Sequence, residues 1–135
     1  MKRMSLAEIH IGRAEAEHVR IDVLEHAPDD WRVTTVEVAC GVWKGAFEWQ
    51  FHKGELRRFG QQVRELYRKL SGTATLEPWE PNLRLKMTGD GKGHISVEGK
   101  AEPEFNAATY LVFQIALDQT ELPSIAAELT AADPC

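Results

Sequence analysis

Gly54-Glu55-Leu56-Arg57-Arg58-Phe59-Gly60-Gln61-Gln62-Val63-Arg64-Glu65-Leu66-Tyr67-Arg68-Lys69-Leu70-Ser71-Gly72 decides how the remainder of the chain is read. Leu56, Phe59, Val63, Leu66, Tyr67 and Leu70 fall within an arc of about 100° on a helical wheel, the stripe of a core-facing helix. The spacing predicts a helix from Gly54 to Leu70. Ser71-Gly72 supplies a glycine stop, and Arg68 and Lys69 stand in the last turn, where positive charge suits the helix dipole.

On either side of this helix the period falls to two. Before it come Ile9-His10-Ile11, Val19-Arg20-Ile21-Asp22-Val23, Val36-Glu37-Val38 and Phe47-Glu48-Trp49-Gln50-Phe51. After it come Leu83-Arg84-Leu85-Lys86-Met87 and Ile95-Ser96-Val97-Glu98. Such alternation marks half-buried antiparallel strands. The connections are short: His26-Ala27-Pro28-Asp29-Asp30 and Cys40-Gly41 to Lys44-Gly45 gather turn formers, and the glycines of Gly89-Asp90-Gly91-Lys92-Gly93 allow the positive φ of a tight hairpin. The nearly unbroken apolar run from Tyr110 to Leu117 reads as a central strand covered on both faces, and it should be the most buried of all. Thr120 is placed to cap a closing helix with Pro123 in its first turn and Leu122, Ile125, Ala126 and Leu129 as its apolar face.

The fold class is therefore α+β: a largely antiparallel β-sheet of about seven or eight strands, one long amphipathic helix in mid-chain and a short C-terminal helix. Strands, helix, strands, helix implies two similar halves, although no residue-level repeat between them is evident. With 135 residues and 43% hydrophobic content, residues 1–135 are expected to form a single domain whose core needs no staples. The opening residues lack the apolar run of a signal peptide and no segment approaches a bilayer span, so a cytoplasmic protein is expected. Cys40 lies in a strand and Cys135 at the terminus, a spacing that favours reduced thiols.

Few residues look chemical. Gly89-Asp90-Gly91-Lys92-Gly93 lacks the Ser or Thr after its lysine and the strand-to-helix setting that a phosphate loop needs. His10, His18, His26, His52 and His94 have neither His-x-x-x-His spacing nor a Cys-x-x-Cys partner, so no metal site is expected, though ligands distant in sequence could still converge. Cys40, at an inward strand position, reads as a small hydrophobe, and the carboxylates beside prolines have no evident reason for a raised pKa. No catalytic residue, cofactor or enzyme activity is expected.

Charge is more informative. The chain carries a net charge of -5, yet the segment from Lys53 to Lys69 is basic, with Arg57, Arg64 and Arg68 on one flank of the helix. That flank either meets an acidic surface or lies in solvent. The acidic balance argues against nucleic acid as a ligand. Asp29, Asp30, Glu77 and Glu80 stand beside Trp31 and Trp79, which are either core residues or interface anchors. As anchors within an acidic surface they would suit a protein partner with a basic cleft, and these six residues are the candidate partner-binding set.

Several stretches resemble the WapI family of bacterial immunity proteins: Gly54-Glu55-Leu56-Arg57-Arg58-Phe59 leading to Leu66-Tyr67, Gly72-Thr73-Ala74 to Leu76-Glu77-Pro78, Thr88-Gly89-Asp90-Gly91-Lys92-Gly93-His94, and Leu117-Asp118-Gln119-Thr120-Glu121-Leu122-Pro123. The resemblance covers Asp30 to Leu129. It implies a protein that occupies and blocks a toxin domain, an RNA-cleaving one being a candidate, and it brings no binding residues with it. Two other readings stay open on the residues alone: a small-molecule-binding or enzymatic domain, and a homo-oligomeric module that pairs its edge strands.

Overall fold

The computed structural model describes residues 4–104 and 108–134. Four strands come first: β1 (Ala7–Gly12), β2 (His18–His26), β3 (Trp31–Cys40) and β4 (Trp43–His52). Helix α1 (Glu55–Lys69) separates them from β5 (Ser71–Leu76), β6 (Leu83–Asp90), β7 (His94–Ala101) and β8 (Leu111–Asp118), and α2 (Leu122–Ala132) closes the order. The eight strands form two antiparallel meanders, β1-β2-β3-β4 and β5-β6-β7-β8.

Alternation dictates the layering. Ile9, Ile21, Val36, Trp49 and Phe51 from the first sheet and Leu76, Leu85, Met87, Val97 and Ile115 from the second join Leu56, Phe59, Val63, Ile125 and Leu129 of the helices in one hydrophobic core. Each strand contributes every second residue, as a sheet with one buried face requires.

Four expectations need correction. The run Tyr110 to Leu117 is not a central, doubly covered strand: β8 is an edge, its burial alternates, and Val112 is 68% exposed. Apolar Val112 and Ala116 imitate a buried run while standing on the outer face. Helix α1 does not end on Gly72. Leu70 takes the left-handed turn at φ 60°, because β5 begins at the very next residue and no length remains for a glycine cap. Its carbonyl accepts the Gly91 N–H at 2.8 Å, and a Cβ on Gly89 would stand 2.4 Å from that oxygen. Gly89 thus serves close approach, whereas Gly91 and Gly93 supply the positive φ of the hairpin.

The closing helix is entered through a tight turn at Gln119–Glu121, capped by Asp118 rather than Thr120. Asp118 accepts from both the backbone and the hydroxyl of Thr120 at 3.0 and 2.7 Å. The contrast of one long and one short helix also fails: α1 has 15 residues, and the turn and α2 together run almost as far, from 119 to 132.

The two halves prove to be repeats after all. Glu55, Leu56, Phe59, Gly60, Gln62 and Val63 correspond at constant spacing to Glu121, Leu122, Ile125, Ala126, Glu128 and Leu129. Glu55 accepts the backbone N–H of His52, three residues earlier, and Glu121 accepts that of Asp118. Each helix packs on the first strand of the other half, α1 on β5 and α2 on β1. Gln62 accepts the edge N–H of Thr75 at 2.9 Å, and Glu128 that of His10 at 2.8 Å. Two sheet edges are thereby closed by side chains of the helix lying alongside.

The helices cross closely at Gly60, where a Cβ would meet Leu129 Cβ at 3.0 Å and the Ala126 carbonyl at 3.3 Å. The guanidinium of Arg57 reaches over the end of α2, donating to the carbonyls of Thr130 and Asp133 at 3.3 and 3.4 Å.

Candidate functional site

Trp31 opens β3 and His52 closes β4, and the register pairs them directly across the ladder. Residues two apart on a strand share a face, so both side chains stand on the outer face of the first sheet, opposite to Trp49 and Phe51. Trp79 arrives from the connection between β5 and β6. Its ring stacks on His52 at 4.8 Å between centroids and 22° between planes, and Trp31 closes edge-on at 5.2 Å to His52 and 6.3 Å to Trp79.

One carboxylate holds this cluster in place. Glu55, 8% exposed, accepts the backbone N–H of His52 through Oε1 and that of Trp79 through Oε2, the latter at 2.7 Å. The Trp79 segment is tied again where the indole of Trp49 donates to the Glu80 carbonyl at 3.0 Å. Trp79 is nevertheless 74% exposed. A large aromatic held from behind and open in front loses little conformational freedom when covered.

The choice between core and surface for the two tryptophans is thus settled. Trp31 is half-buried at the margin, Trp79 faces solvent, and the core tryptophan is Trp49. Asp29 and Asp30 precede Trp31 with φ of 61° and 65°, and Glu77 and Glu80 flank Pro78-Trp79. All four are exposed, and among the described residues none of their carboxylates forms an ion pair. The Lys53 N–H bonds to the Asp30 carbonyl at 2.9 Å, which joins the acidic turn to the end of β4. The structure therefore gathers Trp31 and Trp79 into one patch and places the four acids on the segments that carry it.

Reading the sequence missed His52 and Glu55. His52 is a lone histidine without motif spacing. Glu55 carried a faint signal, an acidic residue at the entrance of a helix, but its second bond to a distant segment has no trace in local sequence.

Other groups are engaged in structure. His18 bonds the Ala16 carbonyl at 3.0 Å and Glu37 at 2.8 Å. His94 bonds Asp90 at 2.8 Å. Two backbone N–H bonds and the His94 ring hold the Asp90 carboxyl below its usual range. Cys40, partly buried, donates to Glu17 at 3.2 Å and to the Gln114 carbonyl at 3.4 Å. Burial first, and the Glu17 carboxylate second, push its thiol up, the opposite of what a nucleophile needs. Cys135 lies outside the described residues. Among the described residues no group of three His, Cys, Asp or Glu side chains stands close enough to hold a metal ion.

A cleft of about 400 Å³ opens between the start of β4 and the residues leading into β8, lined by Trp43, Phe47, Tyr110 and Leu111, with Lys44 at its rim. Its lining is chiefly apolar, with Trp43, Lys44, Thr109 and Tyr110 as the side chains among the described residues that carry a polar group.

The protein is thus an α+β fold with a braced, exposed aromatic cluster between acidic turns. The chain belongs to the immunity protein WapI-like family, whose model matches residues 9–132, a longer stretch than the sequence resemblance covered. No curated protein matches it. Among the described residues no helix is long and apolar enough to cross a membrane.

Proposed function

We propose that the protein neutralises a toxin domain by binding it, without catalysis, in the cytoplasm, and that Trp31, His52 and Trp79 with Asp29, Asp30, Glu77 and Glu80 form the surface that meets the toxin. The observation that carries this reading is Trp79, a tryptophan 74% exposed whose backbone is fastened to a buried carboxylate. Tryptophan is the residue most enriched at binding hot spots, and a prearranged anchor keeps the ordering cost of association low.

The unpaired carboxylates fit a basic partner. A toxin that cleaves RNA presents cationic groups to phosphate, and four free carboxylates around an aromatic anchor offer those groups an alternative. Opposite charge also speeds encounter, which matters to a protein that must intercept its target.

The test is calorimetry against a candidate toxin domain drawn from the genes neighbouring this one, together with growth on co-expression. Wild type should bind and restore growth, Trp79→Ala should lose about 2 kcal/mol of affinity, roughly thirtyfold, and D29N/D30N should slow association at low salt. A wild-type protein that neither binds the toxin nor protects would sink the proposal.

A further inference from the structure

The repeat supplies an internal control for the surface of α1. Both helices do the same structural work through equivalent residues: the entrance glutamate, the apolar positions, the small residue at the crossing and the side chain that closes a strand edge. Their outer faces differ completely. Where α1 carries Arg58, Gln61, Arg64 and Glu65, the equivalent positions of α2 carry Ser124, Ala127, Thr130 and Ala131, and the position of Arg68 falls beyond the end of α2. Lys53, Arg58, Arg64, Arg68 and Lys69 are all exposed.

The fold does not need these charges, since α2 manages without them. Among the described residues only Glu65 pairs with them, bonding Arg68 at 2.7 Å and standing 3.9 Å from Lys69. Arg58 and Arg64 have no ion pair among the described residues. Arg64 and Arg68, one turn apart, repel each other and weaken the helix slightly. Arg58 and Arg64, two exposed arginines without an ion pair among the described residues, in a chain of net charge -5, are free to serve a role outside the fold.

We infer that the exposed face of α1 is a second docking surface, one that takes an acidic protein surface through Arg58 and Arg64. Nucleic acid fits less well. Glu65 sits within the face, where a regularly spaced run of phosphates would pass. Carboxylates on a folded partner can instead be spaced to meet Arg58 and Arg64 while Glu65 keeps Arg68 and Lys69. This inference does not depend on the Trp79 patch, and either can fail alone.

Short poly-L-glutamate is the probe, added to the full chain and followed by amide and guanidinium NMR shifts, with an oligouridylate in parallel. Poly-L-glutamate should shift signals within 53–69 at low salt, and its affinity should fall about tenfold or more when salt approaches 0.15 M. Arg58→Ser with Arg64→Thr, the residues α2 bears at the same positions, should reduce binding to a similar degree with thermal stability unchanged or slightly raised, while Trp79→Ala should bind like wild type. Absence of binding, shifts confined to other elements, undiminished binding by the double variant, or tighter binding of the oligouridylate would each overturn the assignment.

Discussion

Asp133, the residue that follows α2, accepts a 2.7 Å hydrogen bond from the backbone N–H of Gly54, the residue that precedes α1. The same carboxylate oxygen takes the N–H of Arg57 at 3.2 Å. Gly54 is left-handed and has no side chain with which to cap the helix, so the cap of α1 comes from the other half of the chain. Asp133 is fully buried. Replacing it with Ala leaves two donors without their partner, and Asp133→Ala should destabilise the protein by about 1–3 kcal/mol. Urea denaturation checks this, with a lower midpoint and an unchanged slope.

The crossing at Gly60 makes an opposite-signed pair with Gly45. Gly to Ala in a helix interior is worth roughly 0.5–1 kcal/mol in favour of Ala, but at Gly60 the new methyl meets a Cβ and a backbone carbonyl that cannot swing aside. Overpacking of this kind costs about 1–3 kcal/mol and should win, so Gly60→Ala destabilises. At Gly45 on β4 nothing lies within 4 Å of an added Cβ, and Gly45→Ala should be neutral or mildly stabilising. Thermal melts of the two variants side by side decide it.

Local periodicity made the strands and α1 legible, because a core face repeats its signature every two residues or every three to four. It misled at β8, where Val112 is apolar on the solvent side, and it passed over β5, where Thr73-Ala74-Thr75-Leu76 alternates with small residues and closely follows the helix. The repeat was hidden for a similar reason. What the halves share is a sparse set of positions, Glu-Leu followed by an apolar, a small and a strand-capping residue, while the faces that differ most are the exposed ones. At the site, the acids and tryptophans were readable as a composition of loops, but their assembly depends on Glu55 reaching both His52 and Trp79, a relation between segments that no window contains.

Glu37 gives the protein a predictable acid response. His18 Nε2 donates to its carboxylate at 2.8 Å and Lys44 Nζ stands 3.5 Å away, and these, the His18 bond foremost, hold its pKa below the ordinary 4.5. A carboxyl whose folded pKa is depressed adds stability that is complete above its unfolded pKa and disappears as pH falls through the folded value. Glu37 is 34% exposed, so solvent screening keeps the contribution to about 1 kcal/mol or less. Glu37→Gln should therefore lower stability near neutrality while losing less on acidification. Equal pH slopes for variant and wild type below about pH 4.5 would show that the pair is not the source.

Glu55 separates the bracing of the aromatic patch from the patch itself. Trp79→Ala removes an exposed ring and keeps the backbone bond, so stability should change by less than about 0.5 kcal/mol even where binding collapses. Glu55→Gln does the reverse. One of the two backbone donors then faces an amide NH2 in a buried site, which should destabilise by about 1–3 kcal/mol and loosen the Trp79 segment while every aromatic ring remains. Hydrogen exchange at the Trp79 amide reports the difference directly: it should accelerate in Glu55→Gln and stay protected in Trp79→Ala. If Glu55→Gln binds the toxin as wild type does despite faster exchange, preorganisation contributes nothing and the ring alone carries the anchor. If its binding weakens in step with the exchange rate, the buried carboxylate is part of the recognition surface although it never touches the partner.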